Sequence, residues 1–400
     1  MSNASDKARF YLEKSVPELK EYERKKIFSK EEITSIARKR SDFEHKLNAR
    51  GSQPSDYARY AEYEMNLDLL RRKRVKRLGI KTPAYTGQRR IFFILDRATR
   101  KFHGDLGLWI QYIEYARQQK AYKKLSQILT DALRLHPTNV DLWIYAAKYA
   151  LDDHADMTLA RTYMQRGLRF CKTSKNLWIQ YGKLEMIYIA KIAARRRILG
   201  LDQRKTETSV PEDSIDDPNA DMITLPKVTA EDINPSLDKD AEVDQGALQN
   251  LSSTPALSGA IPIAIFDAAM NQFGNDAVFG RDFFDMILEF EDVPCLRKIL
   301  EHVVEKQVAT SPESYHTRIC HVRAPVVGIK VTSPDFPRAF GTSLSRLKQY
   351  PLDRHLAQEI VKWLQPVSKI EELDPALRTV VVATLQRSER VLQAEAGSEN

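Results

Sequence analysis

Three tryptophans, Trp109, Trp143 and Trp178, recur 34 and 35 residues apart, each within a similar nonapeptide: LWIQYIEYA from Leu108, LWIYAAKYA from Leu142 and LWIQYGKLE from Leu177. A period of this length marks stacked helical repeats, and it constrains the fold more than any other feature of the chain. A divergent fourth copy, DYARYAEYE from Asp56, puts Tyr57 in the tryptophan position. Each copy spaces its apolar residues for one helix face: Trp109, Tyr112, Ile113 and Ala116 follow the i, i+3, i+4, i+7 rule. In the Trp178 copy, Tyr181, Gly182 and Glu185 occupy the same positions, Gly182 being small rather than apolar. An acidic residue closes two copies, at Glu64 and Glu185.

A second periodic segment precedes each tryptophan, and its small residues Ala98, Ala132 and Gly167 each lie 11 positions upstream of the next indole. A small side chain lets a neighbouring helix approach, and a large ring fills the dip. The spacing therefore predicts a helix B carrying the small residue and a helix A carrying the ring. The expected fold is all-α, an α-solenoid of antiparallel helix pairs with a helical N-terminal region. His136-Pro137 and Thr173–Asn176 supply turns between repeats. Aromatics beside aliphatics at helical spacing form core, so the tryptophans read as architecture and not as a ligand box.

Four regions follow. Residues 1–54 form the N-terminal helical region and 55–200 the first half of the array. Residues 201–258 hold 13 acidic and four basic residues, a net of −9, with five prolines and no Phe, Tyr or Trp. Such a stretch cannot bury enough apolar surface to offset its ordering entropy, and it reads as a disordered acidic insertion. Residues 259–400 resume the array: PIAIFDAAMNQF is a helix B with Ala269 in the small position, and DFFDMILEFED is a helix A with Phe283 or Phe284 replacing tryptophan. Val303 falls 34 residues after Ala269, so the period survives. Stretches at 352–365 and 375–392 are expected to close the array.

Charge is distributed unevenly. Residues 1–200 carry 42 Lys/Arg and 22 Asp/Glu, a net of +20, and residues 201–400 carry 20 and 32, a net of −12. Ser29 to Glu32 is a capping box opening a helix expected to run to about Arg50 and stop at Gly51. Another helix starts near Ser55 and ends in RRKRVKRLG, with Gly79 as its stop. That run, Arg71, Arg72, Lys73, Arg74, Lys76 and Arg77, is the densest cluster of cations in the chain. It suits contact with RNA phosphates, an acidic protein or an importin, and the alternative is a set of cations stabilising a helix C-terminus. Arg195, Arg196 and Arg197 form a second basic patch before the acidic stretch.

Nothing in the sequence points to chemistry. No GxxxxGK[ST], GxGxxG, HExxH or GxSxG motif occurs, so neither an enzyme nor a cofactor is expected. His316, Cys320 and His321 are the one cluster with metal-ligand character, and only Cys295 is a further nearby thiol, so no metal site is expected. The three cysteines, Cys171, Cys295 and Cys320, are far apart and read as reduced thiols. The first 30 residues mix both charge signs and lack an apolar stretch, which argues against a secretory signal.

Paired helices with this period, Trp in helix A and a small residue in helix B resemble the half-a-TPR (HAT) repeat of RNA-processing proteins, a TPR-like class. The block Pro17–Gly79 goes further and resembles the family of U-three small nucleolar RNA-associated protein six. The resemblance rests on Glu23, Arg24, Phe28, Ser29, Glu32, Ile33, Ile36, Asp42, Glu44 and Lys46, and then on Tyr63, Glu64, Asn66, Leu67, Leu70, Arg74, Arg77 and Gly79. It covers roughly residues 10–200. It implies a non-catalytic scaffold of the UtpB subcomplex of the small-subunit processome, in the nucleolus of the nucleus. The implied partners are WD-repeat subunits of UtpB and the pre-ribosomal particle with its pre-rRNA and U-three snoRNA, and no membrane. The repeats alone also fit a scaffold in a splicing or 3′-end cleavage complex, or a helical-repeat protein that binds RNA directly.

Overall fold

A computed structural model of the chain describes residues 4–81, 86–198, 257–290, 293–370 and 373–396. All but the last two positions of the acidic insertion at 201–258 lie outside the described residues. Every α or β element among the described residues is helical, and the helices fall into two compact units.

The first unit, Met1–Ala146, contains α1 (Ala4–Glu13), α2 (Val16–Arg24), α3 (Lys30–Asn48), α4 (Pro54–Leu78), α5 (Thr86–Lys101), α6 (Leu106–Gln118), α7 (Tyr122–Leu135) and the start of α8 (Val140–Asp152). The second, Ala147–Asn400, takes in the rest of α8, then α9 (Met157–Phe170), α10 (Lys175–Ile198), α11 (Ala260–Gln272), α12 (Ala277–Leu288), α13 (Leu296–Thr310), α14 (Tyr315–Arg323), a 3-10 turn (Ala324–Val326), α15 (Phe336–Lys348), α16 (Arg354–Ser368) and α17 (Pro375–Ala396).

The repeat sets how each ring-bearing helix begins. Asp105, Asn139 and Ser174 stand four residues before Trp109, Trp143 and Trp178, and each side chain accepts the backbone N–H of the leucine just before the indole. An N-cap of this kind satisfies one of the amides that a helix start leaves without a partner. Those leucines, Leu108, Leu142 and Leu177, are buried. The Trp109 indole N–H then donates to the carbonyl of His103 at 2.9 Å, and that of Trp143 to the carbonyl of Pro137 at 2.8 Å, both six residues back. Both rings are buried, as are Ala98, Ala132 and Gly167 on the preceding helices α5, α7 and α9. Trp178 departs from the pattern: its ring is partly exposed and its Nε1 has no hydrogen-bond partner.

Alternate helices pack on one another. In the first unit α4 packs on α6, and in the second α10 on α12, α12 on α14 and α14 on α16. One such contact depends on a missing side chain. A Cβ on Gly182 of α10 would stand 2.6 Å from the Phe283 ring of α12, so the glycine makes room for that ring. Phe283 and Phe284 are both fully buried, as expected of rings in the tryptophan role.

In the N-terminal helices Ser29 and Glu32 form the expected capping box, and Gly79 ends α4 at φ +64°, a conformation that only glycine adopts without strain. The other expected stop is corrected. Helix α3 ends at Asn48, Ala49 turns extended at ψ 153°, and Gly51 is not left-handed. The chain turns toward Pro54, whose missing N–H suits the first helical position of α4.

Candidate functional site

The charged residues of the N-terminal block form a lattice within the protein. Arg40 of α3, 1% exposed, donates from Nε and Nη2 to both carboxylate oxygens of Glu64 on α4, at 2.7 and 2.8 Å. Glu18 of α2 accepts from Arg90 of α5 at 2.8 Å and lies 3.5 Å from Arg40. Glu44 pairs with Arg97 at 3.0 Å, and Lys46 with Asp56 at 2.8 Å. Burial pushes the Glu18 carboxyl up, but Arg40, Arg90 and the Tyr22 hydroxyl outweigh it and hold the group below its ordinary value. At Glu44 burial wins over Arg97, and the carboxyl is raised. These pairs join α2, α3, α4 and α5 across their interfaces, so they fix which helix faces meet.

The RRKRVKRLG run divides along the helical phase of α4. Arg71 is buried and pairs with Asp68 at 2.8 Å; Arg72 reaches the other Asp68 oxygen at 2.7 Å and donates to Gln119 at 2.9 Å. Arg74 grips both Glu32 oxygens at 2.7 Å, donates to the Ile27 carbonyl and covers the Phe28 ring. The Arg74 guanidinium and the Ser29 N–H hold Glu32 at about 2. Lys73, Lys76 and Arg77 point outward, and none makes an ion pair with another described residue. Arg195, Arg196 and Arg197 form the last turn of α10, with Arg195 and Arg197 exposed.

The second unit repeats the two-point pair with a partly exposed arginine. Arg161 of α9 donates from Nε and Nη2 to Glu185 of α10 at 2.7 and 2.8 Å, and Glu185 is fully buried. Next to it, Trp178 lines an apolar cleft with Leu168, Tyr181, Ala260, Ala264 and Ala268. A larger cleft of 800 Å³ runs between α13 and α15, lined by Leu300, Val304, Val327 and Ala339 together with Glu301, Arg338 and Arg346. The cleft at Trp178 is a shallow apolar surface of the kind that takes side chains of another protein, whereas the larger one mixes apolar walls with charged ones.

The histidine and cysteine cluster is dispersed by its contacts. His316 lies 3.3 Å from Arg281, and His321 meets the Tyr350 hydroxyl at 2.7 Å. Burial pushes the Cys320 thiol up to about 12. Among the described residues no three His, Cys, Asp or Glu side chains gather as metal ligands, and no helix is long and apolar enough to cross a membrane.

Residues 12–93 match the family model of U3 small nucleolar RNA-associated protein 6. The chain is 34% identical over 312 residues to U3 small nucleolar RNA-associated protein 6 of Schizosaccharomyces pombe, covering 73% of this chain and 64% of that protein. The comparisons support the U3 small nucleolar RNA-associated protein 6 family. The homolog from Mus musculus is 31% identical over 190 residues, 46% of this chain and 32% of the relative. That from Dictyostelium discoideum is 25% identical over 295 residues, 72% and 46%. The chain thus spans between about a third and just under two thirds of the length of these curated relatives.

The stretch matched by the U3 small nucleolar RNA-associated protein 6 model coincides with the charged lattice. It contains Glu18, Glu32, Arg40, Glu44, Glu64, Asp68, Arg71, Arg74 and Arg90, and it stops four residues short of Arg97. Several residues that carry the family resemblance therefore act inside the fold: Ser29 and Glu32 cap α3, Glu32 and Arg74 tie α3 to α4, and Gly79 ends α4. The sequence reading missed the Arg40–Glu64 and Arg161–Glu185 pairs. Its signal was available, because arginine stands 17 residues before the aromatic position only in those copies that have Glu in place of Ala seven residues after it. The other two copies have Phe92 with Ala116 and Ser126 with Ala150.

Proposed function

We propose that this chain is a non-catalytic scaffold that works with the U3 small nucleolar ribonucleoprotein in pre-ribosomal RNA processing, in the nucleolus. Within this reading the paired helices are HAT/TPR-like repeats of an α-solenoid. The protein is a subunit of UtpB in the small-subunit processome, with WD-repeat subunits as its protein partners. The observation that carries the proposal is the N-terminal block: a stretch similar to proteins named for association with U3 small nucleolar RNA coincides with a lattice of buried ion pairs. Such a lattice fixes helix register and gives no reactive centre. The apolar cleft at Trp178 and the mixed apolar and charged cleft between α13 and α15 suit protein contacts. Any contact with pre-rRNA or U3 snoRNA runs through those partners or through the exposed cations.

Affinity purification of the tagged full chain from nuclear extract, with identification of co-purifying protein and RNA, tests this reading. The expected result is recovery of U3 snoRNA, pre-rRNA and WD-repeat proteins. Recovery of spliceosomal or 3′-end cleavage components in their place overturns it.

A further inference from the structure

Helix α4 uses one face completely. Tyr57, Tyr60, Ala61, Glu64, Asp68 and Arg71 are buried along it, against the helices of the first unit. The opposite face is exposed, and its composition is unusual for a solvated surface. Leu69 and Leu70 are 55% and 41% exposed, and Lys73, Lys76 and Arg77 follow within two turns. At 3.6 residues per turn, Asn66, Leu69, Leu70, Lys73, Lys76 and Arg77 fall within an arc of roughly 120°, a stripe about 16 Å long. Single exposed leucines are ordinary; two adjacent ones at the head of a row of cations on one stripe are not.

The charge on this stripe is uncompensated. Asp68 is the one acidic residue between Met65 and Leu78, and it is buried and held by Arg71 and Arg72. Glu62, exposed two turns before Leu69, marks where the basic stretch ends. Lys73, Lys76 and Arg77 therefore face solvent with no carboxylate from their own helix, while Arg71, Arg72 and Arg74 are committed to the fold.

We infer that this face of α4 docks an acidic amphipathic helix of a partner protein, with aliphatic side chains seated on Leu69 and Leu70 and carboxylates set against Lys73, Lys76 and Arg77. Helix lies on helix because the exposed positions recur at i, i+3, i+4 and i+7, the spacing that a second helix reads. The leucines decide between the two polyanions that such cations attract. A phosphate backbone gains nothing from aliphatic side chains and leaves them wet, whereas a leucine-bearing acidic helix covers them and pairs the cations as well. The inference does not depend on which assembly the chain serves, and the purification experiment above does not test it.

The test is a selection of displayed peptides, about five turns long when helical, against the full 400-residue chain. Binding of the enriched peptides is then measured by fluorescence anisotropy. Two variants perturb the face by different chemistry, Leu69→Ser with Leu70→Ser, and Lys73→Glu with Lys76→Glu and Arg77→Glu; circular dichroism checks that each is folded. The expected peptides are net acidic with Leu, Ile or Met at helical spacing, and each variant weakens them by about tenfold or more. The inference is overturned if no such peptide is enriched, or if the peptides bind both variants as they bind the parent chain. It is also overturned if a fluorescent uridine oligonucleotide binds and is lost in the glutamate variant but kept in the serine one, which makes the face a nucleic-acid surface. Self-association of the chain, abolished by the serine variant, overturns it in favour of a second copy.

Discussion

Arg161 and Glu185 stand 24 residues apart and meet in a two-point ion pair, Nε to Oε1 at 2.7 Å and Nη2 to Oε2 at 2.8 Å; Arg40 and Glu64 repeat the spacing, the atoms and both distances. In each case the glutamate lies seven residues after the aromatic position of its helix, Trp178 or Tyr57. The burial of the partners differs. Arg40 and Glu64 are 1% and 3% exposed, whereas Arg161 is 29% exposed and Glu185 not at all. Breaking a buried pair from one side strands a charge, at a cost of about 3–5 kcal/mol. Both Arg40→Ala and Glu64→Ala are therefore expected to be severe. For the second pair Arg161→Ala is expected to cost far more than Glu185→Ala, because only the arginine reaches water. Urea unfolding of the single variants checks the asymmetry, and equal costs for the two partners of the second pair contradict it.

The tryptophans differ in what holds them. Trp143 is buried and its indole N–H is bonded to Pro137, so Trp143→Ala is expected to cost about 3–5 kcal/mol, as for other large-to-small core changes. Trp178 is partly exposed with no hydrogen bond to lose, and its truncation is expected to cost clearly less. Denaturant midpoints of the two variants should separate in that order.

At Gly182 the structure leaves no room. Gly182→Val places side-chain atoms where Phe283 lies and is expected to destabilise by about 1–3 kcal/mol, the usual cost of overpacking. Gly51, with open space around its absent Cβ and no left-handed backbone, should accept alanine with little change. Thermal melts of both variants, followed by circular dichroism, compare a tight position with an open one.

Glu32 gives the first unit a pH dependence of defined sign. Its carboxyl sits at about 2 in the folded chain against an ordinary value of 4.5, so folding favours the ionised form. That contribution is fully present above about pH 4.5 and is lost as pH falls toward about 2. Glu32→Gln should flatten this part of the acid unfolding profile while leaving the profile above about pH 5 parallel to the parent. Hydrogen exchange at α3 and α4 amides across that range measures it, and an unchanged acid slope contradicts the assignment.

What the residue pattern could settle was periodic and local. The recurrence of Trp109, Trp143 and Trp178, the small residues upstream and the Ser29–Glu32 box depend on spacing within one helix or between neighbouring helices, and spacing is written in the chain. The stop at Gly79 was equally legible, because glycine is the residue that most easily takes the left-handed conformation after a helix, although Lys26 and Lys120 take it too in this chain. The stop expected at Gly51 failed, since Ala49 leaves the helix first and the next helix already begins at Pro54.

Charge was the part that only the tertiary structure decided. In sequence Arg71, Arg74, Lys73 and Lys76 are four cations in one run. In the fold Arg71 and Arg74 are held by Asp68 and Glu32, while Lys73 and Lys76 remain outside. Arg40 and Arg161 share their spacing to Glu64 and Glu185 in the sequence, but it is the packing of the next helix that brings each carboxylate to its arginine. An ionised side chain is stable in the interior only when an opposite charge from another element meets it in the right geometry. Whether that partner is met in this geometry is a property of helix packing, and the sequence holds only the recurrent spacing of Arg and Glu as a hint of it.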